Sequence, residues 1–265
     1  MTDSTGAITT PVLFLGHGSP MLALEHGPWH AALQSWRSGH RGIRSVLIIS
    51  AHWETANEFT LNAAARPGVL HDFSGFAKEL YDLDYPAPGD PALAAKAGDL
   101  LREAGLSVRL DPARPLDHGA WVPLRTLFPE ARTRVVQLSL PRPRTVEALL
   151  EAGRALAPLR KEGVLIIASG GLVHNLRRLA WSSHPEPEEW AQRFDNWIVG
   201  RILDQDLAAL TQAATRAPHY QDAVPTTEHF HPLYVALGAA GHSPCQPVYT
   251  GWQHGNLSLR AMSWE

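Results

Sequence analysis

The chain has 265 residues, 45% of them apolar, with a formal net charge of −3. That length and apolar content suffice for one sizeable core, while the near-neutral balance offers no basic face for nucleic acid and no polybasic membrane anchor. A single cysteine, Cys245, excludes an internal disulfide, a thiolate zinc cluster and a CxxC redox pair.

No apolar run reaches the roughly 20 residues of a membrane span. Met1 to Thr10 is polar, lacks basic residues and is followed by no signal-type cleavage site. The expectation is a cytoplasmic protein: a flexible N-terminus over residues 1–10, then one α/β domain over residues 11–265. Its default partner is a small ligand, with no nucleic acid and no membrane. The sequence sets no oligomeric state.

In chain order, Leu13–Phe14–Leu15 reads as a buried strand that empties into Gly16–His17–Gly18, an imidazole between two residues that let other backbone approach closely. Met21 to Trp36 has the apolar spacing of a helix, ended by Ser38–Gly39. A second buried strand, Val46 to Ser50, runs into His52. Phe59 to Ala63 predicts a short strand, and the segment from His71 through Asp72, Phe73 and Phe76 is aromatic and broken by glycine, unlike core. Tyr85–Pro86–Ala87–Pro88–Gly89–Asp90–Pro91 is a rigid loop, because three prolines forbid a helix or a central strand.

Further on, the pattern predicts a helix over Ala92 to Ala104, a strand over Ser107 to Leu110, and Asp117–His118 ahead of a short helix. A strand follows over Arg134 to Leu140, a helix over Val146 to Leu159, and a third buried strand over Val164 to Ala168 that leads through Ser169–Gly170–Gly171 to His174. Pro185 to Glu189 is an acidic helix start. Thr226 to His229 opens a final helix, and Gln246 to Tyr249 and Leu257 to Met262 are strands. Cys245 falls between prolines in loop-like sequence, where an inert thiol is expected. Strands alternating with helices, then hairpin-like spacing near the C-terminus, predict a mixed central sheet flanked by helices, with the site at strand ends.

Histidine is the compositional outlier, with 14 residues. His17, His52 and His174 follow three separate apolar strands, which predicts one shared site. His118, between Asp117 and Gly119, and His229, after Glu228, are further candidates. His26, His30, His40, His184, His219 and His242 lie in polar or turn-like sequence and are read as structural. His26 and His30 have helical metal-pair spacing, but Gly27 stands where a zinc protease carries its glutamate. Several imidazoles without thiolates favour zinc or non-haem iron. Competing motifs fail: Met21 replaces the last glycine of a dinucleotide fingerprint, and GxSxG is absent, which leaves a hydrolase using Ser19 or Ser169 with His174 as a minor alternative.

Seven ordered motifs resemble the DOPA-dioxygenase-like branch of the class III extradiol ring-cleavage dioxygenases. They are Gly16–His17–Gly18–Ser19–Pro20, Ser50–Ala51–His52–Trp53, His71–Asp72–Phe73–x–Gly75–Phe76, Tyr85–Pro86–Ala87–Pro88–Gly89, Asp117–His118–Gly119–x–Trp121, Ser169–Gly170–Gly171–x–x–His174–Asn175–Leu176 and Glu228–His229–Phe230. The resemblance spans about Val12 to Leu257. It implies one non-haem metal, Fe(II) for ring cleavage with Zn in some isolated relatives, and the opening of a small aromatic diol beside its two hydroxyls by O2.

The resemblance also assigns residues. His17 and His52 match the two metal histidines, His174 the acid/base, alternatively a fourth ligand, and His118 a residue facing substrate or oxygen. His229 is the favoured third ligand, with Glu228 as the alternative. Phe73, Phe76, Tyr85 and Trp121 are expected to wall the substrate pocket. The other reading carried forward is a zinc-dependent hydrolase or a zinc-loaded, non-enzymatic binding protein on the same fold.

Overall fold

A computed structural model describes residues 9–182 and 185–265. The strands, in chain order, are β1 (Val12–Gly16), β2 (Ser45–Ala56), β3 (Phe59–Asn62), β4 (Val108–Asp111), β5 (Arg134–Arg142), β6 (Val164–Gly170), β7 (Cys245–Tyr249), β8 (Trp252–Gln253), β9 (Leu257–Ser258) and β10 (Ala261–Trp264). The helices are α1 (Pro28–Gly39), α2 (Lys78–Tyr81), α3 (Pro91–Glu103), α4 (His118–Leu127), α5 (Val146–Leu156), α6 (Glu189–Leu203), α7 (Leu207–Thr211), α8 (Ala213–Arg216), α9 (Tyr220–Ala223) and α10 (Pro232–Ala240).

Eight strands form one sheet in the order β4-β3-β5-β2-β6-β1-β10-β7, and β8 and β9 make a separate small ribbon. The four central strands β5, β2, β6 and β1 are mutually parallel, whereas β10 pairs antiparallel with β1, β7 antiparallel with β10, and β3 antiparallel with β5. The sheet is mixed, as the sequence pattern predicts.

Period-2 alternation sorts the central strands into two cores. Val12, Phe14, Leu47, Ile49, Val136 and Leu138 face one side. There they pack with apolar residues of α3, α5, α6 and α10. Leu13, Leu15, Val46, Ile48 and Val135 face the other, under Trp29 and Leu33 of α1 and Trp121, Leu124 and Leu127 of α4. Apolar residues on both faces explain why these strands read as continuous hydrophobic runs. Parallel alignment then gathers the C-terminal ends of β1, β2 and β6 on one edge of the sheet, which is where ligands bind in open α/β folds.

Several boundaries differ from the sequence reading, each for a local reason. The helix expected over Met21 to Trp36 is two elements, a 3₁₀ turn at Pro20–Ala23 and then α1. Pro28 forces Gly27 into extended backbone and then serves as the first helical residue. The helix expected to reach Leu159 ends at Leu156 and tightens into a 3₁₀ turn over Ala157–Glu162. The last helix starts at Pro232 rather than at Thr226, so His229 lies in the turn ahead of it. The expected strand Leu257 to Met262 is broken between β9 and β10.

Two further expectations are corrected. Thr10 is buried, and its hydroxyl donates to the carbonyls of Arg160 and Val164, so the ordered domain includes residue 10. Cys245 opens β7 instead of lying in a loop, and burial pushes its thiol up to about 12, which fits an inert role. His184 and residues 1–8 lie outside the described residues. Among those described, no helix is long and apolar enough to cross a membrane.

Helix α10, which follows the His229 turn, crosses α5 at two glycines. A methyl group on Gly238 would stand 2.1 Å from the Leu150 carbonyl oxygen, and one on Gly153 would stand 2.2 Å from that of Val235. Backbone on both sides leaves nothing flexible to yield. Gly238→Ala is therefore expected to lower stability by about 1–3 kcal/mol, read as a shifted denaturation midpoint. A stabilisation, as helix propensity alone would give, would show that the two helices separate freely.

Candidate metal centre

Three imidazoles meet at the sheet edge. His17 follows β1 directly, His52 lies within β2, and His229 sits in the turn before α10. Nε2 of His52 is 2.9 Å from Nε2 of His17 and 3.2 Å from Nε2 of His229. All three residues are largely buried, and their ligand atoms form one cluster within 4.8 Å.

The protein fixes two of the three tautomers through the opposite ring nitrogens. The Ser169 hydroxyl donates to the Gly119 carbonyl at 2.5 Å, so its oxygen is left to accept from Nδ1–H of His17 at 3.0 Å. Glu228 Oε1 accepts from Nδ1–H of His229 at 3.0 Å. In both rings the proton is on Nδ1 and the Nε2 lone pair points into the cluster, which is how second-shell partners prepare metal-binding histidines. His52 Nδ1 lies 3.7 Å from Asp72 Oδ2, and that carboxylate draws its proton to the same side.

This donor set fits a metal. Two nitrogens each about 2.1 Å from a common ion stand about 3.0–3.4 Å apart, close to the separations observed. Without a cation, lone pairs face one another in a buried space. Burial first, and then the neighbouring imidazoles His52, His229, His118 and His174, hold the His17 pKa well below 6.5. Burial lowers His52 to about 3, with His118 adding to the effect and Asp72 opposing it. His229 is likewise held well below 6.5 by burial and by His174, His52 and His118. These rings are neutral at pH 7 and ready to coordinate.

Glu228 does not join the His17–His52–His229 cluster. Its Oε1 is occupied by His229 Nδ1 and by the Thr226 hydroxyl at 2.8 Å. His174 groups with Glu228 and His229, its ring lying flat on that of His229 at 3.5 Å between centroids and 6° between planes. Burial lowers His174 to about 4 against the opposing charge of Glu228. The Ser169 hydroxyl is fully buried and committed to Gly119 and His17, which removes it as a nucleophile.

His118 is the first residue of α4, not a residue ahead of it, with Asp117 as N-cap residue. The buried Asp117 carboxylate accepts from Ser50 Oγ at 2.6 Å and from the Gln137 amide, locking the helix start to β2 and β5. Gly119 permits this approach, since a Cβ there would lie 2.5 Å from Ser50 Oγ and 2.9 Å from the His52 ring. Asp72 Oδ1 accepts from both the backbone N–H and Nδ1 of His118, at 3.0 and 2.9 Å. Burial raises the Asp72 carboxyl, but the His118 hydrogen bonds and charge, with His52, overcome this and leave it at about 2.

A cavity of about 380 Å³ opens over the cluster, lined by His52, His118, His174 and His229 together with Phe73 and Phe76. Arg177, Trp181 and His254 stand at its outer side. Two expected wall residues are elsewhere. Tyr85 is fully buried in the second core, where its hydroxyl donates to the Phe128 carbonyl at 3.0 Å; that bond allows a tyrosine from a proline-rich segment to go inside. Trp121 is fully buried behind Phe73, with Nε1 donating to the Leu70 carbonyl.

Sequence reasoning assigns no role to Asp72 or Arg177 and considers Ser169 only as a minor nucleophile candidate, not as the partner of His17. Asp72 is flanked by His71 and Phe73 in a segment already marked as unlike core, which was the available signal. Ser169 acts on His17 across 152 residues, a separation that no local pattern reports.

A buried cluster of three histidines at the strand ends of a mixed α/β sheet defines the class of protein. Residues 11–260 match the family described as the catalytic LigB subunit of aromatic ring-opening dioxygenase. The 4,5-DOPA dioxygenase extradiol of Beta vulgaris is 39% identical over 250 residues, covering 92% of each chain, and that of Escherichia coli K12 is 37% identical over 94% of this chain and 92% of its own. A crystal structure of an uncharacterized protein from Escherichia coli K12 superposes with a TM-score of 0.82 at 32% identity, covering 97% of this chain and 100% of the other.

The chain belongs to the LigB family, as a class III extradiol dioxygenase of the DOPA-dioxygenase-like branch. It is an aromatic ring-opening enzyme, which answers the hydrolase and binding-protein alternatives, and the family implies a non-haem metal.

The depressed imidazoles set a pH dependence. Unfolded histidines titrate near 6.5, whereas burial takes His174 and His231 to about 4 and His52 to about 3. Between these values the unfolded chain binds protons that the native state refuses, so stability falls with pH. The melting temperature of metal-free protein is expected to be flat from pH 8 to 7 and to drop steadily from pH 6.5 towards 4. A scan that is flat down to pH 5, where carboxylates begin to contribute, would contradict these shifts.

Proposed function

We propose that the protein holds one ferrous ion through Nε2 of His17, His52 and His229 and opens the ring of a catechol, DOPA or a related dihydroxyphenyl compound, beside its hydroxyls. The observation that carries this reading is the convergence of three Nε2 atoms whose outer nitrogens are engaged or faced by Ser169, Asp72 and Glu228. When bound, ferrous iron supplies the electron transfer between a chelated catechol and dioxygen that no side chain provides. Held by three protein ligands, the ion would keep positions open for both reactants. Glu228 in this reading orients His229 and is not itself a ligand.

His174 is the acid/base. Neutral at pH 7, its ring can take a proton from a catechol hydroxyl and, as imidazolium, return it to the ring-opened product. It stacks flat on His229, and its ring nitrogen groups with Glu228 and His229 instead of with His17 and His52. Asp72 takes the Nδ1 proton of His118 and orients the ring at the cavity wall, so that Nε2 accepts from a substrate hydroxyl and, once protonated, donates to a developing oxyanion. Phe73 and Phe76 exclude water and supply ring edges for an aromatic substrate. Arg177 gives the carboxylate of an amino-acid catechol a cationic partner at the outer side of the cavity.

Protein stripped of metal, reloaded with ferrous iron under argon and given a catechol in air is expected to consume one oxygen per ring opened; no uptake with any of a panel of catechols refutes the reading. His17→Ala, His52→Ala and His229→Ala are expected to lose bound metal, while His174→Ala keeps it and loses turnover by about 10²–10⁴-fold. Metal loss in Glu228→Gln equal to that in His229→Ala would reverse their assignment. Arg177→Ala is expected to raise KM about tenfold for DOPA and to leave 4-methylcatechol unaffected; equal effects on both would remove its role.

A further inference from the structure

Arg144 lies in the loop between β5 and α5, and its side chain is only 4% exposed. All three guanidinium nitrogens are engaged. Nη1 donates to Glu54 Oε1 at 2.6 Å and to the Pro141 carbonyl at 3.2 Å, Nε to His231 Nδ1 at 2.7 Å, and Nη2 to Thr227 Oγ1 at 3.3 Å. A buried guanidinium is costly unless so matched. Its planar fork is also the side chain best suited to fix several acceptors at once.

The partners are distributed in a telling way. Glu54 is two residues past His52 on β2, so the two side chains leave the strand on the same face. Around His52 the strand departs from its ladder with β5: pairing stops at Ile49 and resumes only at Glu54, opposite Leu140. Backbone pairing to β5 therefore does not set the height of His52, and Glu54 is the first fixed point after it. Thr227 and His231 bracket His229, and the His231 N–H donates to the Thr227 carbonyl at 2.9 Å to close that turn. Arg144 grips both ends of the turn and the strand end together. His17, by contrast, is held by Ser169 without any contact to this network.

We infer that Arg144 is a positioning residue for the metal centre, a clamp that sets the separation of His52 and His229 and thereby the affinity for the ion. It rests on the ligand set proposed above and acts through Glu54, Thr227 and His231 without reaching the cavity. Loss of a partner that orients metal ligands typically weakens binding about 10–100-fold.

The test is a titration of metal-free protein with zinc against a chromophoric chelator, at a temperature well below the melting point. Arg144→Ala is expected to raise the zinc Kd about 10–100-fold, with Arg144→Lys intermediate, since one ammonium cannot span three partners. Arg160→Ala is the control: it removes another buried guanidinium, one held by the Thr10, Ala239 and Trp264 carbonyls. It is expected to lower the melting temperature and leave the zinc Kd unchanged.

An unchanged Kd in Arg144→Ala, or an equal rise in Arg160→Ala, overturns the inference. Should Arg144→Ala fail to fold, Thr227→Val deletes one clamp contact without stranding a charge; a weaker Kd there supports the clamp and an unchanged one refutes it. The ligand assignment is tested separately, because His52→Ala and His229→Ala must abolish stoichiometric zinc binding whatever Arg144 does.

Discussion

Three imidazole nitrogens facing one another inside the protein are the constraint around which the site is built. With the protons of His17 and His229 held at Nδ1 by Ser169 and Glu228, two lone pairs meet the His52 ring at 2.9 and 3.2 Å. A proton on His52 Nε2 could serve only one neighbour well, and Asp72 draws it to the other nitrogen. A single divalent cation satisfies all three. The surrounding architecture maintains this arrangement: buried neutral rings, carboxylates placed behind them, and a sheet whose parallel strands end together.

The carboxylates differ in role according to what they touch. Asp72 is divided between His118 and His52 and stays ionised through their hydrogen bonds and charge. Asp117 is deeper, and burial raises its pKa against the opposing donors Ser50 and Gln137. It fastens a helix start to the sheet and so fixes where His118 begins. Glu228 faces His229. Asp72 and Glu228 each stand one step behind an imidazole, and neither joins the His17–His52–His229 cluster.

Much of this was legible in the sequence because His17, His52 and His174 follow long apolar runs, and a buried strand that stops at a polar ring is a strong local signal. The alternation that splits the core in two was equally readable in β1 and β2. Other features were hidden for physical reasons. Glu228 and His229 are adjacent, and only the orientation of the turn decides which one faces the cluster. Tyr85 sits in a proline-rich segment that reads as surface, yet the carbonyl of Phe128, 43 residues away, receives its hydroxyl. Asp72 and Ser169 owe their roles to partners 46 and 152 residues distant, a separation no periodicity conveys.

The position of β1 in the sheet bears on how the protein is made. It lies between β6 and β10, paired to residues around 166 and 263, and the His229 turn also comes late in the chain. On a ribosome, Val12–Gly16 emerges well before residues 164–170 and 261–264, so neither of its neighbours yet exists when it is made. Closing such long loops is slow. The nascent chain thus carries His17 and His52 without their third companion until the His229 turn has been made. An ion that needs all three imidazoles can therefore bind only after the His229 turn has followed β1 and β2 out of the ribosome.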